Sequence, residues 1–398
     1  MNPLLMTNFE ACTKCTICTE YCPVSEVRPA YPGPKQSGPD GERQRLKDAA
    51  FYNKALKYCS NCKRCEIACP SNVRIGDVIA LARKRFAGPN LSPRDAILAH
   101  TDFMGTMATM VAPIVNYVTN IPLTRFFLDK IVGIPAWRIF PKYSWTTFRA
   151  WYFNNRPDQT QFAEQVTLFH GCFINFNNPS LGQDSIRLLN ALGVGVRLLA
   201  RERCCGVPLI SSGFFGHAKD NALSNAKNIA QALTKTERVV CPSSTCSMTL
   251  RNEYPDILEV KNDSWRDRMD LLIRHVYRLM EKGRELNFQR QEIKVAYHTA
   301  CHMEKLGWSA YSIKLLKLIP GLQLTILPSR CCGIAGTYGF KKENSEYSQK
   351  IGAPLFQSIR DSGCDLVVSE CETCKMQIQM STGVPCENPV TILARNLV

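Results

Sequence analysis

Residues 12–23 read CTKCTICTEYCP, and residues 59–70 read CSNCKRCEIACP. Both follow C-x-x-C-x-x-C-x-x-x-C-P, a spacing at which thiolates hold [4Fe–4S] clusters. Three cysteines two residues apart lie on one short loop and reach three corners of a single cubane. The fourth lies across a turn and reaches the other cluster, so the expected pairing is crossed. Cys12, Cys15, Cys18 and Cys69 would hold one [4Fe–4S] cluster, and Cys59, Cys62, Cys65 and Cys22 the second. Pro23 and Pro70 end each run and turn the chain away. A lone C-x-x-C also suits zinc. Two complete runs, each closed by proline, point to iron and sulfide instead.

The 35 residues between the runs exceed what a minimal ferredoxin hairpin needs. Arg43–Tyr58 contains no Gly or Pro and mixes charged with apolar residues, which predicts a helix. Ile75–Phe86 reads the same way. The expectation for residues 1–100 is a helical ferredoxin-type domain with two clusters.

The chain holds 20 cysteines in 398 residues. A protein of this size does not need disulfides in place of a core. No basic region followed by a long apolar stretch opens the chain, so a reducing cytoplasmic location is expected, where clustered cysteines serve metal or redox chemistry. The net charge of +15 could suggest nucleic acid. No long Lys/Arg run or nucleic-acid module accompanies it, and four-thiolate clusters near −2 each would offset part of the excess.

Residues 101–164 form a different segment. Phe103–Thr124 carries no charged residue over 22 positions, long enough for a membrane span. Pro113, Pro122, Asn116 and Asn120 argue against one. Beyond it, Arg125, Lys130, Arg138, Lys142 and Arg149 alternate with Phe126, Phe127, Trp137, Phe140, Tyr143, Trp145 and Trp151. Aromatic and cationic side chains together favour a lipid–water boundary, or equally a surface docked on a partner protein.

From residue 165 the pattern turns α/β and repeats. Val166–Cys172 and Ile293–Cys301 are apolar runs ending at cysteine, with helices expected near Ser180–Leu192 and Ala310–Leu318. ERCCGVPL and SRCCGIAG follow, then RVVCPSSTCSM and LVVSECETCKM. Cys172 to Cys204 is 32 positions and Cys301 to Cys331 is 30; Cys205 to Cys246 is 41 and Cys332 to Cys374 is 42. This is an internal duplication, with domains expected at 165–288 and 289–398. The second copy offers Cys301, Cys331, Cys332, Cys371 and Cys374, and the first Cys172, Cys204, Cys205, Cys241 and Cys246. Adjacent cysteines make a strained disulfide but can meet one metal cluster from one side. A cluster in each copy competes with a dithiol or zinc site. Ser243 stands where the second copy has Cys371. Cys241 therefore serves from a shifted position, or the first copy holds its cluster with fewer thiolates or holds none.

His170, His298 and His302 lie beside cluster cysteines. Such histidines commonly hydrogen-bond and pack; His302 is the choice if one is functional. Lys341 and Lys342 read as a solvated or docking face. No G-x-G-x-x-G, P-loop or Ser/His/Asp motif is present, so the chain reads as an electron relay rather than a dehydrogenase in its own right.

The paired CCG motifs after a two-cluster ferredoxin run resemble the iron–sulfur subunits allied to heterodisulfide reductase, including those of glycolate and lactate oxidation. The strings YPGPKQSGPDGERQRLKD, LAHTDFMG, FHGCFINFN, YHTACHMEKLGW, CCGIAGTYGFKKEN and SECETCKMQI resemble most the branch serving anaerobic glycerol-3-phosphate dehydrogenases. The resemblance implies two [4Fe–4S] clusters and one or two further noncubane [4Fe–4S] clusters in the CCG repeats. It implies partners in the flavin-containing A and B dehydrogenase components, electron delivery to menaquinone, and a peripheral place on the cytoplasmic face of the inner membrane. The alternative within the family is a CCG site that itself reduces a disulfide or quinone.

Overall fold

The computed structural model describes residues 7–51, 53–86 and 92–398. It contains two four-stranded parallel sheets of one topology. The first comprises β1 (Glu164–Leu168), β2 (Val194–Leu198), β3 (Val239–Cys241) and β4 (Met269–Leu271), in the order β2-β1-β3-β4. The second comprises β5 (Ile293–Tyr297), β6 (Leu322–Ile326), β7 (Leu366–Val368) and β8 (Cys386–Glu387), in the order β6-β5-β7-β8. Register repeats too: Glu164 faces Val194 in β1/β2, and Ile293 faces Leu322 in β5/β6. Parallel strands need crossover connections, and helices Pro179–Ala191 and Ser309–Leu316 supply them close to where the sequence predicts.

Val166, Leu168, Val194 and Val196 of one sheet and Val295, Tyr297, Val367 and Val368 of the other lie in a single buried cluster. The copies are thus fused through one core. Their strand ends also meet directly: the Ser244 N–H donates to the Glu370 carbonyl at 3.0 Å, and the Asn388 side chain donates to the Pro242 carbonyl at 3.3 Å. In each sheet the order reverses beside the first strand, which places a ligand crevice at the carboxyl ends of β1/β3 and β5/β7.

The N-terminal region is helical and has no sheet among its described residues. The helix Ile75–Phe86 forms as expected. Arg43–Tyr58 does not form one helix; its Tyr52 lies outside the described residues. A helix Gly41–Lys47 stops at Asp48, whose carboxylate accepts the Ala50 N–H at 2.9 Å. A short turn of helix restarts at Lys54, where Asn53 accepts the Ala55 N–H at 2.8 Å. Asp and Asn side chains that bond nearby backbone compete with the helix ladder.

The segment after residue 100 folds as short helices, Thr101–Met110, Ala112–Val118 and Pro122–Phe127. Pro113 and Pro122 stand in their first turns, where a missing N–H costs nothing. Among the described residues no helix is long and apolar enough to cross a membrane. Gly105 lets the first of these helices lie on repeat one, since a Cβ there would collide with the Phe176 ring.

The ferredoxin region is bound to both repeats by buried charge. Lys63, between Cys62 and Cys65, has no solvent contact. Its ammonium lies 2.5 Å from Asp77, 3.7 Å from Glu66 and 4.0 Å from Glu253 of repeat one. Glu66 also pairs with Lys305 of repeat two at 2.8 Å. Arg64 donates to Glu304 and to both oxygens of Ser329. Arg28 donates to Asn344 at 2.7 Å and lies over the Tyr58 ring. Lys341 pairs with Asp95 and is largely covered, whereas Lys342 pairs with Asp129 of the middle segment and stays half exposed.

Lys63→Met would leave three buried carboxylates without their shared cation. Removing one partner of a buried pair costs about 3–5 kcal/mol, so denaturant unfolding should show an earlier transition. An unchanged midpoint would show that the network does not hold the domains together.

Candidate iron–sulfur sites

The two cysteine loops share an unusual backbone. Lys14 and Thr16 in the first, and Asn61 and Lys63 in the second, have φ of 61°, 67°, 55° and 64°. These are matched positions, two left-handed non-glycine residues per loop, each costing about 1–2 kcal/mol. Alternating hand turns successive N–H groups inward, a concavity that receives an anion. The loops therefore carry strain in the conformation a four-thiolate cluster requires.

The structure sets Cys18 beside Cys12, Cys69 and Cys15. It sets Cys22 beside Cys62 and Cys59, and Cys65 beside Cys62, Cys59 and Cys22. Burial, then the neighbouring Cys62, pushes the Cys22 thiol up to about 12. Burial likewise raises Cys18, Cys62 and Cys65. Thiols held protonated this way become ligands only with a local cation, so the donor set suits bound iron.

In repeat one, Cys172 lies in the first turn of helix Gly171–Phe176, beyond β1. The pair Cys204–Cys205 follows β2, and Cys246 lies in helix Ser244–Met248. Cys172 and Cys204 are 3.6 Å apart, and Cys205 and Cys246 3.5 Å. Cys241 ends β3, fully buried, donating to the Ser243 carbonyl at 3.6 Å and bonding toward Cys246. The shifted thiol thus lies beside Cys246, buried behind it rather than in the lining shared by Cys172, Cys205 and Cys246. In repeat two, Cys332 and Cys374 are 3.2 Å apart, and Cys371 lies 3.2 Å from the Thr373 hydroxyl. Cys301 opens helix Cys301–Leu306 and faces Cys62, Cys371 and Cys332.

The glycine after each cysteine pair has a structural cause. Gly206 and Gly333 have φ of 103° and 84°, a left-handed turn that glycine takes without strain. At Gly333 a Cβ would also run into the Ser348 carbonyl oxygen.

Both repeats and the second ferredoxin loop share one cavity of about 140 Å³. Cys172, Cys205 and Cys246 line it from one side, Cys301, Cys332 and Cys374 from the other, with Cys62 at its edge. Among the described residues no three His, Cys, Asp or Glu side chains converge on a single ion.

His170, His298 and His302 all line this cavity. Burial lowers His170 and His298 to about 4, which leaves them neutral at ordinary pH. His302 is also lowered, with Thr245 and the Asn61 carbonyl as neighbours.

Other groups gave no signal in the sequence. Burial raises Asp102 to about 7, Glu202 to about 8 and Glu370 to about 7. Glu202 accepts the His170 and Gly171 N–H groups, and Asp102 accepts the Cys204 N–H at 2.7 Å. Arg138, read from sequence as part of an exposed face, is buried and donates to Gln377 and the Gly339 carbonyl. Its nearest opposing charge would be a Cys332 thiolate.

Residues 8–73 match the 4Fe-4S dicluster domain, and residues 166–251 and 295–379 each match the cysteine-rich domain CCG. Fold and matches together define an iron–sulfur protein with a dicluster ferredoxin-type domain followed by a duplicated cysteine-rich α/β domain. The chain is 54% identical to the C subunit of the anaerobic glycerol-3-phosphate dehydrogenase of Escherichia coli (strain K12), over 98% of this chain and 99% of that one. It is 30% identical over 54% of its length to "Lactate utilization protein A" of Halalkalibacterium halodurans, covering 88% of that protein. It is 22% identical over 93% of its length to the B subunit of the CoM/CoB fumarate reductase of Methanothermobacter marburgensis, covering 67% of that protein. The chain belongs to the family of anaerobic glycerol-3-phosphate dehydrogenase C subunits.

Iron and acid-labile sulfide on anoxically purified protein measure how many sites fill. The ferredoxin clusters alone give about eight irons per chain, and two filled repeats about sixteen. Cys332→Ser is expected to remove about four irons, and Cys205→Ser about four more if Cys241 completes the first site. A wild-type value near eight would leave both CCG sites as thiol or zinc sites.

Proposed function

We propose that the chain is the iron–sulfur electron-transfer subunit of an anaerobic glycerol-3-phosphate dehydrogenase complex. It takes electrons from the flavin-containing A and B components and passes them toward menaquinone at the cytoplasmic face of the inner membrane. Its clusters supply one-electron carriers: two [4Fe–4S] in the ferredoxin domain and one noncubane [4Fe–4S] in each filled repeat. The observation that carries this reading is the order of the cysteine sites. Cys15 is exposed at one end. Cys22 and Cys59 pack with Cys331, Cys62 faces Cys301, and the shared cavity leads on to Cys172 and Cys205. A partner can reach the first site, and each site adjoins the next.

Exposed apolar side chains support a peripheral place on lipid. Phe103, Met110, Ile114, Tyr117, Leu123, Phe126 and Ile131 are all exposed, on consecutive short helical segments. Such a run exceeds the scattered apolar residues of an ordinary surface. Arg149, Arg156, Arg197 and Lys235, with exposed Phe153 among them, line a surface pocket of about 350 Å³ that has no carboxylate among its lining residues. Apolar residues flanked by cations match an anionic lipid surface. Phe140 does not belong to this face: it packs on the core with its ring against Phe340. Trp151 packs inward likewise.

Phe126→Glu with Ile131→Glu should weaken co-sedimentation with anionic vesicles by at least about tenfold, given the loss of two buried apolar side chains. Undiminished binding would point to anchoring through the partner proteins of the complex.

The cavity between the repeats favours a second reading, in which the CCG sites themselves reduce a small disulfide. On the relay reading, purified chain given a reduced one-electron donor shows no disulfide reductase turnover. Turnover without any flavoprotein would favour the second.

A further inference from the structure

Arg138 of the middle segment is 2% exposed. Burial lowers it to about 10, so it stays charged at ordinary pH. A buried charge is ordinarily paired with one of opposite sign. Arg45 is as deeply buried and has Glu42. Arg138 forms no ion pair among the described residues. Its hydrogen-bond partners are neutral: the Gln377 side chain and the Gly339 carbonyl accept from its two terminal nitrogens. Its Nε has no acceptor. The guanidinium lies over the rings of Trp137 and Phe340, 4.6 and 5.3 Å from their centroids.

Both acceptors belong to the segments that deliver the thiols of repeat two. Gln377 lies one turn beyond Cys374 on helix Glu372–Thr382, and both are buried. The Gly339 N–H donates to the Ile334 carbonyl at 2.8 Å, and Ile334 follows the Cys331–Cys332 pair and Gly333. Phe340 packs in the same core cluster as Cys332 and Cys374. Arg138 therefore bridges the two segments from behind. It does not line the cavity between the repeats. The acids of the same loop are engaged elsewhere. Glu370 accepts the Tyr297 and Ser312 hydroxyls, and Glu372 the side-chain amides of Asn178 and Asn388. Among the described residues, the opposing charge that bears on Arg138 is a Cys332 thiolate. No cation holds the matching place in repeat one. Aligned on Cys246 and Cys374, Thr249 stands where repeat two has Gln377, and its hydroxyl donates to the Glu253 carboxylate at 3.0 Å.

We propose that Arg138 is the fixed counter-charge of an iron–sulfur cluster in repeat two and raises its reduction potential. This rests on the reading that repeat two holds such a cluster. Arg138 acts on it by charge and by holding the cysteine segments, which makes it a positioning residue. The potential of an iron–sulfur centre depends on the charge around it. A cluster carried by thiolates is anionic, and each electron it accepts adds to that charge. A cation enclosed with it offsets the addition, and its field is little screened away from water. The electron comes from a reduced neighbouring cluster of the chain, which is oxidised by one as repeat two is reduced by one. No bond or proton changes hands.

The test is a redox titration of cluster-loaded full-length protein followed by EPR. The repeat-two signal is the one that Cys332→Ser removes. Arg138→Gln deletes the charge and keeps a hydrogen-bonding side chain. Its repeat-two cluster should be harder to reduce by at least about tenfold, a downward shift of at least ~59 mV for one electron. Iron content and the ferredoxin signals should stay as in the wild type. Arg138→Lys keeps the charge and should restore most of the shift. Loss of about four irons in Arg138→Gln but not in Arg138→Lys would show the same dependence on charge in a stronger form. An unmoved repeat-two potential in Arg138→Gln at full iron content overturns the proposal and leaves the cluster in place. A shift shared by the ferredoxin signals, or equal iron loss in both variants, shows a role in packing alone and overturns it as well. If Cys332→Ser changes neither iron content nor any signal, the cluster reading itself fails.

Discussion

A lysine ammonium with no access to water holds this molecule together. Lys63 lies between two cysteines of the second ferredoxin loop, and its charge is balanced by Asp77 and Glu66 of its own domain and by Glu253 of repeat one. Such a group is tolerable only when its partners are all in place, because an unpaired buried charge is far more costly than the pair is stabilising. The network thus specifies one docking geometry rather than adding general adhesion. It acts on the loop that holds Cys62, the thiol facing Cys301 across the domain boundary. The contact that fixes the domains is also the one that sets neighbouring sites side by side.

The duplication has a related logic. One parallel sheet has one carboxyl edge, and ligand-bearing loops collect there. Two copies fused through a common core, with strand ends meeting at Ser244–Glu370 and Asn388–Pro242, turn those edges toward each other. Cysteines from seven stretches of chain, three in each repeat and one in the second ferredoxin loop, then line one space. Burial depresses the nearby histidines and raises the nearby carboxyl groups. A carboxyl kept neutral avoids placing like charge beside thiolates.

Much of this was legible in the order of residues because it depends on local spacing. C-x-x-C-x-x-C loops, the CCG turns and the helix Ile75–Phe86 are short-range features, and their spacings set their geometry. The failures share a different cause. Arg43–Tyr58 was broken by Asp48 and Asn53 bonding the backbone beside them. Arg138, Phe140, Lys341 and Lys342 read as surface, yet each has its partner in a distant segment. Residue type alone could not reveal those partners, since Gln377, Phe340, Asp95 and Asp129 lie hundreds of positions away and carry no pattern.

The amino-acid sequence by itself determined the inventory: eight thiols in two ferredoxin runs, five in each repeat, and a duplicated α/β pattern to present them. It did so because ligand spacing and strand–helix periodicity are properties of neighbouring residues. Tertiary structure alone decided how the sites are ordered, which charged groups are buried, and that a guanidinium without a carboxylate partner stands behind repeat two. Those depend on long-range contact, in which burial converts a lysine or an arginine from a solvated group into one that must find a specific partner.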